Sequence, residues 1–385
     1  MKSGYSWSVA NGEVFTRSSK GASPKDGLPS VERRLSSATV PEQVNDVLMR
    51  SDYLENCYRH SWERQKLARL YSGEVITTPE VMQMELSQGC LHVPTGTIFL
   101  DSGKVFRQST VRLEDFLASG IVPSGDWSQR IGLYASLVTR WAGNYAHWLF
   151  DSLPRVAISE VLERNETFIL PQNPSRFHRE SLKLLGIEKE RCLVPDQEVL
   201  RLERLIMVST AVTSGIPNGH ALRKLRERFR EAVGLSGQPA TGKPLYILRE
   251  KPSPAKSQRR LINEPEVRRV LMDFGFEVIV PEDLSFEEQV RKFAEAPILV
   301  GPHGAGNFNL MYMAPGTAVV ELFNPECWEH TSVRLSGMLG LRHYHLFGIN
   351  RTKDHLFEID PKRLRKLMCL VLGGEHLADA VETVF

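Results

Sequence analysis

Ile298-Leu299-Val300-Gly301-Pro302-His303-Gly304-Ala305-Gly306-Asn307 is an apolar run that breaks into a turn of small residues and then opens a helix, expected from Asn307 to Met313. A short continuous apolar run bounded by turn residues marks a strand buried on both faces, and such strands belong to parallel sheets. Small residues in the turn let a phosphate approach the backbone, and a helix start offers unpaired N–H groups with a partial positive charge. The turn is not the dinucleotide fingerprint, because the third glycine position after Gly304 and Gly306 is Asn309. Nor is it a Walker loop, because no Lys-Ser or Lys-Thr follows. Two readings remain: an anion site formed by Gly304, Ala305 and Gly306 with His303 as an extra donor, or a turn that serves packing alone.

The rhythm around this stretch is regular. Before it come a strand at Leu245–Leu248, a helix at Glu264–Phe274, a strand at Glu277–Val280 and a helix at Phe286–Ala294. After it come a strand at Ala318–Phe323, a helix at Thr331–Leu339, a strand at His343–Phe347 and a last helix at Pro361–Leu372. Strands alternating with helices of this length form βαβ units and parallel sheets. Farther upstream the pattern repeats, with strands at Ile131–Val138, Phe168–Leu170 and Leu205–Val208. The helices between them run over His147–Leu162, over Arg179–Leu185 closed by Gly186, and over Asn218–Val233 closed by Gly234. Ser236–Pro244, small and polar with two prolines, is the best linker. A hairpin is expected over 96–106 and a polar helix over Asp46–Leu70.

The resulting organisation is a loose polar leader over 1–40, a first α/β domain over 41–236 and a second over 243–358. A C-terminal helix over 359–385 is expected to pack back on the first domain. Two sheets joined by one linker would leave a ligand cleft at the carboxyl ends of their strands.

The 385 residues suffice for two such cores, and 42% apolar with 24% charged residues is an ordinary globular balance. A net charge of +2 implies no nucleic-acid partner. Five scattered cysteines without a CxxC pair fit a reducing compartment. No apolar run reaches the ~18 residues of a membrane span. The expected location is the cytoplasm, with room for contact at the inner face of a membrane.

Three polar sets stand out. Glu321 sits near the end of the strand after the glycine turn, where a carboxylate either accepts from a ribose diol or simply meets solvent. Arg249 ends a strand, while Arg260 and Asn263 introduce a helix. Guanidinium forks there suit phosphate oxygens, although loop arginines are also commonly solvated. In Asn144-Tyr145-Ala146-His147-Trp148-Leu149-Phe150-Asp151, His147 and Asp151 are four apart and share one helix face among apolar neighbours. Such a pair is a tunable acid–base site or the cap of a buried helix end. A metal site is not expected: no Asp-x-Asp occurs, and His343-Tyr344-His345 has no carboxylate nearby in sequence.

Together these segments resemble glycosyltransferase family 61, which includes bacterial capsule-type enzymes and eukaryotic O-linked N-acetylglucosamine and xylan transferases. The resemblance rests on Asn144-x-x-His147-Trp148-x-x-Asp151-x-Leu153-Pro154, then Tyr246-Ile247-x-Arg249 with Arg259-Arg260 and Asn263-Glu264. It is completed by Gly301-x-His303-Gly304-Ala305-Gly306 with Pro315-Gly316 and Glu321-Leu322. It implies a GT-B architecture of two facing Rossmann-like parallel-sheet domains, nucleoside-diphosphate-sugar donors and inversion at the anomeric carbon.

On this reading the chain is a metal-independent transferase without a cofactor. It would move a hexosyl or pentosyl unit from a donor, expected to be UDP-linked, to a glycan or lipid-linked glycan in cell-surface polysaccharide synthesis. His147 or Asp151 is the base; Arg249, Arg260, Asn263, His303, Gly304, Ala305, Gly306 and Glu321 hold the donor in the nucleotide-sugar-binding domain over 243–358. Asn144 and Trp148 are the acceptor-binding candidates of the acceptor-side domain over 41–236, with buried packing the favoured reading of Trp148 over a sugar-stacking face. Two rivals stay open, a nucleotide-sugar epimerase of the same architecture and a non-catalytic nucleotide- or glycan-binding protein.

Overall fold

The computed structural model describes residues 8–10, 33–34, 75–76, 83–122, 125, 127–158, 165–209, 212–213, 216–249, 259–326 and 331–372. The helix expected over Asp46–Leu70 and most of the expected leader lie outside them. The chain divides into two compact units, Met1–Val31 with Thr77–Ala232 and Glu32–Ile76 with Val233–Phe385.

The first unit is built on an eight-stranded sheet. Its strands are β1 (Ser8–Ala10), β2 (Gln83–His92), β3 (Thr97–Phe99), β4 (Lys104–Phe106), β5 (Gln129–Ser136), β6 (Thr167–Ile169), β7 (Cys192–Leu193) and β8 (Val199–Val208). They lie in the order β1-β4-β3-β2-β8-β5-β6-β7. On one side of β8 the strands β5, β6 and β7 run parallel to it and to one another. On the other side β2, β3 and β4 form an antiparallel meander, including the expected hairpin. The all-parallel sheet expected for this unit is therefore corrected to a mixed one. The reason is β2: in Gln-Met-Glu-Leu-Ser-Gln-Gly-Cys-Leu-His the polar residues dilute the apolar signal.

Leu200, Leu202, Leu205 and Met207 of β8 all reach one cluster with Leu91, Ile98 and Val138. The pairing of β8 with β5 shifts between Leu202 and Arg204, where β5 carries an extra residue at Gly132, whose φ of 120° suits glycine.

The second unit holds five parallel strands, β9 (Leu245–Ile247), β10 (Glu277–Ile279), β11 (Ile298–Pro302), β12 (Ala318–Phe323) and β13 (Arg342–Phe347). Their order is β10-β9-β11-β12-β13. Every residue of β11 and β12 is buried, as their apolar runs require. The strand order reverses between β9 and β11, so this is the sheet's topological switch point.

Helix Phe286–Glu295 covers the sheet with Phe286, Val290, Phe293 and Ala294 and starts on a Ser285/Glu288 capping box. Helix Pro361–Val371 places Leu364, Leu367 and Met368 in the core of this unit. Its apolar face is thus used within this unit. After β11 the chain winds over Ala305–Tyr312 as a 3-10 helix, not the expected α-helix. All residues from Asn307 to Tyr312 are buried, and the Asn307 and Asn309 side chains donate to backbone carbonyls of Pro302 and Gly306. Among the described residues no helix is long and apolar enough to cross a membrane.

Candidate active site

In the first unit the chain leaving β5 reaches Asn144, whose Oδ1 accepts from the N–H groups of Ala146 (3.0 Å) and His147 (3.4 Å). Asn144 is thus a helix N-cap. Its acceptor oxygen is occupied by the backbone, not presented to an acceptor sugar. The helix it starts changes gauge twice: Tyr145–His147 is α-helical, Trp148–Ser152 is a π turn, and Leu153–Ile158 is α-helical again. Leu153 N–H donates to Trp148 O, five residues back. Pro154 has no N–H to offer Phe150, so the tighter bond is unavailable at this point. Single π turns of this kind occur frequently at functional sites.

Across the wide turn His147 Nδ1 meets Asp151 Oδ2 at 2.8 Å. The carboxylate is almost fully buried, while a third of the imidazole side chain is exposed. With Nδ1–H donating to the carboxylate, Nε2 is left with its lone pair, and it has no partner among the described residues. Trp141 and Phe150 pack against the ring, each with its centroid 5.1 Å away. Burial pushes the Asp151 carboxyl up, against the opposing pull of His147 and of Arg155 one turn on. Arg155 is itself buried, which pushes its guanidinium down to about 10 against the attraction of Asp151. Asp151 Oδ1 and Arg155 Nε and Nη2 find no hydrogen-bond partner among the described residues.

Trp148, read from sequence as buried packing ahead of a sugar-stacking face, is completely buried and its Nε1 donates to Ser181 Oγ at 2.9 Å. It stacks edge-on against buried His178, which accepts from Ser175 N–H and donates from Nε2 to Ala142 O. Trp148 and His178 are therefore the floor under the dyad. Arg155 and His178 carried no motif of their own. Arg155 was legible only as the next residue of the i, i+4 row through His147 and Asp151.

In the second unit Arg249 follows β9 and His303 follows β11, on the two sides of the switch point. Arg249 Nη1 donates to His303 O at 2.9 Å. A Cβ added at Gly304 would stand 2.4 Å from that same Nη1, so glycine is what admits the guanidinium. Ala305 and Gly306 are partly exposed at the start of the 3-10 helix. Arg249, Gly304, Ala305 and Gly306 thus come together at the place where open α/β sheets bind ligands.

His303 and Glu321 point the other way. Both are buried, and His303 Nδ1 lies 2.6 Å from Glu321 Oε1. The carboxylate also accepts from Asn307 Nδ2 (3.1 Å) and Ser332 Oγ, and lies 3.3 Å from His343 Nε2. Burial alone raises the Glu321 pKa, but the charges and hydrogen bonds of His303 and His343 outweigh it and hold the group well below the ordinary carboxylate range. Glu321, open from sequence to a ribose diol or to solvent, has its acceptors used inside the protein, where they orient His303 and the helix start. His343 does have a carboxylate beside it, contributed by the neighbouring strand, where Val319 pairs with His343 and Glu321 with His345.

Asn263 also serves the fold. Its Nδ2 donates to Ile359 O at 2.8 Å and its Oδ1 accepts from Ile359 N–H at 3.1 Å, which fastens the start of helix Glu264–Asp273 to the last helix. Arg260 is half-buried beside it, with its carbonyl accepting from Phe357 N–H. Among the described residues no group of three or more His, Cys, Asp and Glu side chains is arranged to hold a metal ion.

Residues 145–320 match the family model described as Glycosyltransferase 61. This segment belongs to glycosyltransferase family 61. The family 61 match opens on Tyr145, the first residue of the helix that carries His147 and Asp151, and it closes one residue before Glu321. It takes in Arg249, His303 and the glycine turn. No curated protein matches the chain. Family 61 membership indicates glycosyltransferase activity, and with it a nucleotide-sugar donor and a glycan acceptor.

Proposed function

We propose that this glycosyltransferase inverts the anomeric carbon and that His147, oriented by Asp151, is the base. The acceptor hydroxyl gives its proton to His147 Nε2 as its oxygen bonds to the anomeric carbon. The bond from that carbon to the diphosphate oxygen breaks on the opposite side, and the nucleoside diphosphate leaves with the electron pair. One observation carries this reading: the 2.8 Å contact that fixes Nδ1 on a buried carboxylate and leaves Nε2 on a partly exposed ring.

Charge on the leaving diphosphate would be met by Arg249 and by the N–H groups of Ala305 and Gly306, with His303 as their buried support. Arg260 is the second cation in reach of this role. On this account transfer needs neither a divalent cation nor a cofactor. A UDP-linked donor, a GT-B arrangement, a lipid-linked or free glycan acceptor in surface polysaccharide synthesis and a cytoplasmic setting complete the proposal.

The test is a screen of nucleotide sugars by thermal shift, followed by transfer and donor-hydrolysis assays in EDTA. Full activity in EDTA, with an inverted product by NMR, is expected. Loss of activity in EDTA that added Mg²⁺ or Mn²⁺ restores would overturn the metal-free part. Conversion of the donor to an epimeric nucleotide sugar without acceptor would overturn the transferase itself.

A further inference from the structure

The first unit has a cavity of about 540 Å³ lined by Ile121, Trp127, Ser128, Gln197, Glu198 and Val199. We propose that it is a carbohydrate subsite that takes a neutral sugar segment of the acceptor, remote from the hydroxyl that reacts. The choice of an acceptor segment rests on the transferase reading above; the cavity's preference for neutral sugar rests on its own walls.

Those walls are built in advance. The Trp127 indole meets Phe99 edge-on, with centroids 5.7 Å apart, and packs on the cluster of Cys90, Phe99, Val105 and Phe116. A Cβ on Gly125 would come within 2.3 Å of the indole, so only glycine lets the chain lie against the ring. Glu198 is held from behind: its Oε1 lies 3.3 Å from Nε2 of buried His92, whose Nδ1 contacts Thr95 Oγ1 at 2.8 Å. The Glu198 carbonyl accepts from Val93 N–H, and the Gln197 carbonyl from Gln172 Nε2. Aromatic and planar polar groups are therefore presented together at low conformational cost.

Their chemistry selects the ligand. Three apolar and three polar residues line the cavity, which suits a pyranose with an apolar C–H face and a rim of hydroxyls. The C–H face meets the electron-rich face of an indole, while a carboxylate, an amide and a hydroxyl take up neighbouring OH groups. Among the described lining residues the one charged group is the Glu198 carboxylate, and nearby Arg130 is paired with Asp196. An anion, whether nucleotide or free phosphate, would meet repulsion there with no cation among the described lining residues to offset it. The volume is within the range of ligand pockets and has room for about two sugar rings.

Contiguous contacts join the cavity to the π turn. Thr95 adjoins Gly96, and a Cβ on Gly96 would stand 2.4 Å from Val138 O; Thr139 Oγ1 then lies 3.5 Å from Ser152 Oγ. A glycan seated at Trp127 is thus bound by the same packed body that holds His147.

The experiment titrates the full chain with neutral oligosaccharides of three to six units from gluco-, xylo-, manno- and N-acetylglucosamine series, without donor. UDP and inorganic phosphate are the controls, and the readout is indole Nε1–H NMR assigned with Trp127→Phe. At least one series is expected to move the Trp127 signal, with affinity falling tenfold or more in Trp127→Ala and in Glu198→Gln, while donor hydrolysis is unchanged. Glu198→Gln keeps the shape of the wall, so it decides the matter should Trp127→Ala not fold. No shift with any sugar, shifts with UDP or phosphate instead, or equal sugar affinity in Glu198→Gln and wild type would overturn the subsite. Sugar binding at Trp127 in a protein that never transfers would leave the subsite standing and sink the transferase reading.

Discussion

Arg249 Nη1 donates to the carbonyl oxygen of His303 over 2.9 Å, and this bond ties the end of β9 to the glycine turn after β11. The tie crosses the one place where the strand order of the second unit reverses. It also sets a steric condition, because the guanidinium occupies the space that a side chain at residue 304 would need. Gly304→Ala is therefore expected to push Arg249 off His303 while leaving the sheet intact. Loss of one charge-assisted hydrogen bond, about 1.5 kcal/mol, should raise the donor KM roughly tenfold. Arg249→Ala should cost on the order of 100-fold in turnover, as losses of single oxyanion donors do. Steady-state kinetics beside melting curves separates these losses from unfolding; an unchanged donor KM in Gly304→Ala would contradict the geometry.

Pro154 offers a second handle. It withholds the N–H that would otherwise bond four residues back, and the helix answers with the wide turn over Trp148–Ser152. Pro154→Ala restores the donor and should let the turn tighten toward α geometry, rotating Asp151 away from His147. The expected result is a protein at least as stable by thermal melt, with kcat lowered tenfold or more. Retained kcat would mean that the π turn has no part in setting the dyad.

Acid sensitivity is expected in the second unit. Burial, more than neighbouring charge, lowers His345 from 6.5 to about 3. The unfolded chain therefore takes up a proton near pH 6.5 that the folded chain refuses until about pH 3. The stability due to the neutral ring is full above pH 6.5 and is lost as pH falls through that window. Glu321, held low by His303 and His343, contributes in the same sense at more acidic pH: its share is present above the unfolded carboxylate value and is lost below it. Buried His92 and His178, also lowered chiefly by burial, add to the slope. Melting temperature should fall steadily from pH 7 to pH 4, and His345→Gln should flatten that fall. A Tm independent of pH over this range would refute the assignment of a neutral buried ring.

Much of the second unit was legible because its physics is local. Ile298–Val300 is a continuous apolar run, and the helices of this unit carry caps and turn glycines where the chain stops. The His147–Asp151 contact was legible for the same reason, since spacing of four on a helix is a local rule. What escaped depends on groups distant in sequence. β2 pairs with β8 across more than a hundred residues, and its polar face hid it. Glu321 looked like a ligand residue at a strand end, yet His343 of the neighbouring strand, Asn307 and Ser332 close over it. Trp148 reads from sequence as buried packing before a sugar platform, and Ser181 and His178 packed against it are the partners that no local pattern names. Pattern told where the polar groups lie along each element, but only packing told which of them still face outward.

The account turns on His147 as the proton acceptor. Its most direct test is the transfer rate of His147→Ala, measured with the best donor from the nucleotide-sugar screen and an acceptor that wild type uses, on protein whose melting temperature matches wild type. A loss of 100- to 10,000-fold in kcat with little change in donor KM is predicted, in the range that general-base removal produces. Transfer within a few-fold of wild type would contradict it.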